Sequence, residues 1–171
     1  SEEARAANLL VQSKDFSTLK ELQSQQATAE QNIADCTDMI TQKNEVIGNA
    51  NGKIPTVNAD KVSADTAEVA AQGVVDRTNT DISNAIDEAA ATSLRTRLAQ
   101  EAATEGAAKT TAKNIGDQLT ELTSKVTQAQ RFVSDENTKK ATAQGEKATA
   151  DAQITSEQAR LDKAEADGNT L

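Results

Sequence analysis

From Leu19 onward the chain repeats a spacing in which every step is three or four residues, in strict alternation: Leu19, Leu22, Gln26, Ala29, Ile33, Cys36, Ile40, Lys43 and Ile47. Such a line occupies the first and fourth positions of a heptad and forms one stripe along a helix. Thr18 followed by Glu21 fits a capping box at its start. Gly48, Asn49, Asn51 and Gly52 predict its end, and Pro55 reinforces the break. Residues 48–58 are therefore expected to form a loop. Upstream, Ala6, Leu9 and Leu10 predict a short helix over 2–12. The segment 13–17 is either a kink or a continuation.

A second stripe runs through Ala108, Ala112, Ile115, Leu119, Leu122, Val126, Ala129 and Val133. The same phase continues through Glu136, Lys140, Ala143, Lys147, Ala150, Ile154, Glu157, Leu161 and Ala164. Its first half is well filled with aliphatic side chains. Its second half is diluted by charge, and Gly145 marks either a bend or a hairpin tip. Between the two stripes, Val62, Val69, Val75, Ile82, Ile86, Ala89, Leu94, Leu98 and Ala102 recur at roughly helical spacing, but with a slipping phase. Asn58 or Asp60 is placed to cap this segment, and Gly106 predicts a turn near 105–107. No alternating run of β-branched and aromatic residues predicts a strand. The expected fold is all-α: one elongated domain over 1–171, an antiparallel helical bundle or coiled coil of three to four long helices, with the main ones at about 17–48, 58–105 and 107–167.

Composition narrows this further. The chain has 171 residues, of which 31 are Ala and 21 Thr, while Leu, Ile, Val and Phe together number 29. That is too little bulk to fill a thick globular core, so packing must run through closely approaching Ala-rich stripes. Alanine and a single Pro favour long helices; the many Thr and Asn oppose them. With no His and one Cys, the chain supplies neither a His/Cys zinc site nor a Ser-His-Asp or Cys-His arrangement. A formal charge of −9, without a basic tract or aromatic platform, argues against a nucleic-acid partner. No apolar run approaches the length of a membrane-spanning helix. The start at Ser1 reads as that of a processed or trimmed chain, with no signal peptide.

Candidate chemistry is sparse. Glu2 with Glu3, Asp35 with Asp38, Asp87 with Glu88, and Asp162 with Glu165 and Asp167 form acidic clusters. Each reads first as a solvated helix face; together they allow weak, collective calcium binding rather than one defined site. No other cofactor is expected. Paired carboxylates can also serve glycosidases, but two Phe in the whole chain supply no sugar platform. Cys36 lies in the first stripe between Ile33 and Ile40 and reads as a small buried hydrophobe; the alternative is an intermolecular disulfide or reactive thiol, against which Asp35 and Asp38 weigh. Gln26, Lys43, Lys140 and Lys147 interrupt the stripes, either to set register or because the stripe opens to water there. Phe16 and Phe132 are core anchors by default, and contacts for a neighbouring molecule if exposed.

The candidate functional residues are thus the stripes themselves: Leu19, Leu22, Ala29, Ile33, Cys36, Ile40 and Ile47 in the first, and Ala108, Ala112, Ile115, Leu119, Leu122, Val126, Ala129, Val133, Ile154 and Leu161 in the second. They suit a structural protein that works by lateral packing and not an enzyme. The acidic character, the heptads at Leu19 to Ile47 and Ala108 to Val133, the absent initial Met and the single Cys36 resemble the mature trichocyst matrix proteins of ciliates. That resemblance implies a polypeptide cut from a precursor, co-assembling with its own kind or with related helical proteins into a paracrystalline secretory-granule core. It also implies calcium-dependent expansion, and a location in the granule lumen that becomes extracellular on discharge. Two alternatives stand beside it. One is an amphipathic lipid-binding bundle, against which the narrow, Ala-rich stripes weigh. The other is a hydrophilic stress-type or surface-coat helical protein, which the Ala, Thr, Lys and Glu of 138–166 favour.

Overall fold

The computed structural model describes residues 1–170, with the side chains of all of these except Asp15, Asn169 and Thr170. Among the described residues there are two α-helices and no strand: α1, Glu2–Ser83, and α2, Glu88–Thr170. The chain divides into two compact units. Unit 1 pairs Ser1–Asn44 with Gln130–Leu171, and unit 2 is the continuous segment Glu45–Ala129.

Each helix begins on a side-chain cap. The Ser1 hydroxyl accepts from the Ala4 amide at 3.2 Å. The Asp87 carboxylate accepts from the Ala90 amide at 2.8 Å, and Glu88 adds negative charge to the first turn of α2. Both satisfy amides that have no partner inside the helix and complement the positive end of its dipole. The connection is the four residues Asn84 to Asp87, where α1 closes with Asn84 bonded to the Thr80 carbonyl and Ala85 to that of Ile82.

The abundant threonines fit this architecture through their hydroxyls. Thr37, Thr41, Thr66, Thr123, Thr127 and Thr155, among others, donate to the carbonyl four residues earlier. The hydroxyl is thereby satisfied by its own helix and leaves the backbone ladder intact.

Two helices stand where three or four were expected. Residues 48–58 are helical throughout, no glycine takes a positive φ, and Pro55 lies inside α1. Residues 105–107 are likewise helical, and the separate segments 2–12, 17–48 and 58–105 do not exist as such. The physical reason lies in the spacing. Ile47, Ala50, Ile54 and Val57 keep the three-and-four step through the breaker-rich stretch, and all four are buried or half-buried. Gly48, Gly52 and Pro55 are exposed, so the cost of the missing Pro amide falls on the solvent side. Glycine costs about 1 kcal/mol and proline about 3 kcal/mol in a helix interior, sums that tertiary packing of a continuous face can outweigh.

The middle segment also lacks the slip of phase expected of it. Val62 and Val69 are 66% and 70% exposed, and Ile86, in the turn, is 98% exposed. Ala89 and Ala102 are exposed too. The covered line of α1 instead runs Lys61, Ala64, Glu68, Ala71, Val75, Thr78 and Ile82, in unbroken steps of three and four. In α2 it runs back from Ala108 through Glu105, Glu101, Leu98, Leu94 and Ala91. Charged and small residues at covered positions had disguised the register.

Candidate functional site: the packing seam and its polar layers

In unit 1 the start of α1 faces the end of α2. Asn8 donates to the Ala164 carbonyl at 2.8 Å, Gln26 to the Asp151 carboxylate, and the Lys43 ammonium lies 4.9 Å from the centre of the Phe132 ring. Partners descend along α2 as they ascend along α1, so the pairing within this unit is antiparallel. A side chain at Gly168 would come within 2.7 Å of the Asn8 amide nitrogen, which makes this glycine a point of close approach. Unit 2 pairs in the same sense. Thr78 donates to Glu101, Arg97 reaches Asp81 at 3.5 Å, and a Cβ at Gly116 would meet the Lys61 stem at 3.3 Å.

The candidate residues fall into two groups by burial. Leu19, Leu22, Ala29, Cys36, Ala112 and Ala129 are buried. Ile33, Ile40, Ile47, Ala108, Ile115, Leu119, Leu122, Val126, Val133, Ile154 and Leu161 are half-buried. Ala143 and Ala150, in the same phase, are buried as well. Four buried positions were missed: Ala50, Ala64, Thr78 and Ala91. Continuing the three-and-four step past Gly48, and backward from Ala108, would have reached all of them. Small side chains, together with Leu19 and Leu22, thus fill the buried positions, and most of the larger aliphatic ones are half in water. Where alanine fills the seam the backbones can approach, and the buried area per residue stays modest.

Polar layers interrupt the seam, and each is satisfied. Four glutamates at covered positions have a basic neighbour on their own helix. Glu101 meets Arg97 at 3.1 Å, Glu105 meets Lys109 at 2.9 Å, Glu136 meets Lys139 at 3.1 Å and Glu157 meets Arg160 at 3.1 Å. The carboxylate enters the seam while the cation stays exposed on its flexible stem. Among the described residues no buried side-chain nitrogen or oxygen lacks a partner.

The most enclosed of these layers holds Cys36. Its thiol, buried at 7% exposure, is hydrogen-bonded to the Glu136 carboxylate, itself only 4% exposed. Burial chiefly, and then that hydrogen bond, push the thiol above its ordinary value. Lys139 first, then Cys36, hold Glu136 below the usual carboxylate range against the opposing effect of burial. Lys139 is raised in turn by Glu136. A thiol kept protonated beside a carboxylate is a poor nucleophile, so this layer acts as a structural contact. Beside it runs a shallow groove of about 360 Å³, lined in part by Met39, Thr142 and Glu146.

The interrupting residues have distinct surroundings. Gln26 reaches Asp151, whose carboxyl it holds below the ordinary range together with Lys147 at 3.1 Å. Lys43 covers Phe132, which is half-buried. Lys140 is half-buried as well. Phe16, by contrast, is 55% exposed. Of the acidic clusters, Asp87 serves as the cap of α2. Among the described residues no three Asp, Glu or Cys side chains converge to hold a metal ion, and no helix is long and apolar enough to cross a membrane. No known protein family matches this chain, nor does any curated protein or any solved structure.

Proposed function

We propose that this protein is a structural component whose task is packing: the helices zip together as an antiparallel coiled coil, and such pairs assemble side by side into an ordered solid. The observation that carries this reading is the half-covered state of the flanking aliphatics, Ile33, Ile40 and Ile47 on α1 and Leu119, Val126 and Val133 on α2. Apart from Leu19 and Leu22, small residues take most of the deepest positions, so these larger ones stay available to neighbouring chains of the same or a related kind. The layered polar contacts supply register and no reacting group, and the reading assigns the chain no reaction. Its resemblance to trichocyst matrix proteins supplies the setting, a secretory-granule core released on exocytosis.

The charge of −9 gives assembly an ionic control. Adjacent pairs repel unless cations screen their carboxylates, so divalent ions change association more than they change the fold of one chain. The test is small-angle scattering and electron microscopy of the concentrated full chain, with calcium and with chelator. Ordered arrays whose spacing changes with calcium are expected. A monomeric, isotropic solution under every ionic condition would contradict the proposal.

A further inference from the structure

Along the first four turns of α1 large apolar residues face outward while polar ones take covered positions. Among the described residues before Leu19, Ala4, Asn8 and Gln12 are half-buried, and Asn8 bonds to α2, whereas Leu9 and Phe16 are 62% and 55% exposed. At about 100° per residue, Leu9, Phe16 and Lys20 share one face, roughly a quarter-turn from the covered line. Lys20 lies 5.9 Å from the centre of the Phe16 ring, so the face is an apolar ridge with a cation beside it. Within the same unit, Leu9 and Phe16 form one wall of a groove of about 420 Å³ whose other wall is Leu161, Asp162 and Glu165 of α2. Lys20 at the end of the ridge and the two carboxylates on the far wall carry opposite charge.

We propose that this surface is a self-association site, taking the same surface of a second copy of the chain about a two-fold axis. An isologous contact needs one patch that complements itself. Here the ridge of each copy meets the groove of the other, Leu9 and Phe16 lie against Leu161, and Lys20 of each faces Asp162 and Glu165 of its mate. The opposed charges orient the contact, and the apolar ridge supplies its affinity. A lipid surface fits less well, because two carboxylates edge the groove where interfacial helices carry basic residues. This inference rests on the assembly reading above and names one contact within it.

The test is sedimentation equilibrium of the full chain over a wide concentration range, with circular dichroism to confirm helicity. All the altered positions are exposed, so the fold is expected to persist. The double variant Leu9→Ser/Phe16→Ser should weaken dimerisation by ~10-fold or more. Lys20→Glu should weaken it by ~3-fold to 10-fold, and adding Asp162→Lys and Glu165→Lys to that variant should restore it. Variants that associate like the parent would overturn this surface while leaving the assembly reading intact. A parent chain that stays monomeric in calcium and in chelator would overturn both. Loss of binding to phosphatidylcholine vesicles in the double variant, with self-association unchanged, would overturn the second copy in favour of a lipid.

Discussion

Residues 19–43 and 61–82 both supply the covered line of α1, but with different balances of material: the first has Gln26 and Lys43 among its aliphatics, and the second has only Val75 and Ile82 as large aliphatics. In the first stretch the line carries Leu19, Leu22, Ile33 and Ile40, and the outward faces are mostly polar. In the second it carries Lys61, Glu68 and Thr78, while Val62 and Val69 face water. The step of three and four is the same in both. Periodicity of position, and not hydrophobicity of each residue, therefore defines the seam. In the first stretch burial of aliphatic surface holds the helices together. In the second, small residues permit close approach, and ion pairs and hydrogen bonds complete the contact.

That contrast can be broken most sharply at Leu22 and Val62. Leu22→Ala should lower the unfolding free energy by about 2–4 kcal/mol, because it removes a buried side chain at the helix contact. Val62→Ala should change it by less than about 0.5 kcal/mol, since that side chain already lies in water. Chemical denaturation of the two variants decides the matter, and equal losses would erase the distinction. Ala64, 8% exposed, tests the opposite error. Ala64→Leu should destabilise by about 1–3 kcal/mol through overpacking, although it adds apolar surface. A gain in stability would mean that the helices are not in close contact there.

Smaller effects belong to the polar layers. Thr78→Val keeps the shape but removes the hydroxyl that donates to Glu101, and should cost about 1 kcal/mol in thermal or denaturant unfolding. The ionisable layers give a pH dependence of definite sign. Glu136 and Asp151 are held below their ordinary values, so their stabilisation is whole above the usual carboxylate range and is lost as pH falls through the depressed values. Lys109 and Lys139 are raised, so their stabilisation is whole below the ordinary lysine value and is lost as pH rises through the raised ones. Cys36, also raised, follows the same alkaline direction from the thiol range upward. Melting temperature against pH should show both declines, and Glu136→Gln should flatten the acid one.

The helical class and both stripes were legible in the chain because a three-and-four repeat survives substitution at single positions. Glu136, Lys140 and Lys147 stand in phase, and the structure covers each of them at least in part. The turn was not legible, because local breakers misled. Gly48, Asn49, Asn51, Gly52 and Pro55 concentrate every signal that ends a helix, yet Ala50 and Ile54 hold the face together through them. The actual turn at 84–87 contains neither glycine nor proline and is marked chiefly by Asp87 as a cap. The first stripe, extended, reaches Ile82, and the second, traced backward, reaches Ala91, so the gap between them locates the connection. The role of Phe16 was open between anchor and contact, and its face became plain only from the side on which Asn8 and Gln12 lie.

The central claim is that α1 runs unbroken through its breaker-rich stretch because one seam continues on both sides of it. Amide hydrogen exchange across 48–58 and 84–87 tests this most directly. The account predicts slow exchange at the helical amides of 48–58, comparable with that of 33–43, and fast exchange confined to the residues around Ala85 and Ile86. Exchange in 48–58 as fast as in 84–87 would contradict it.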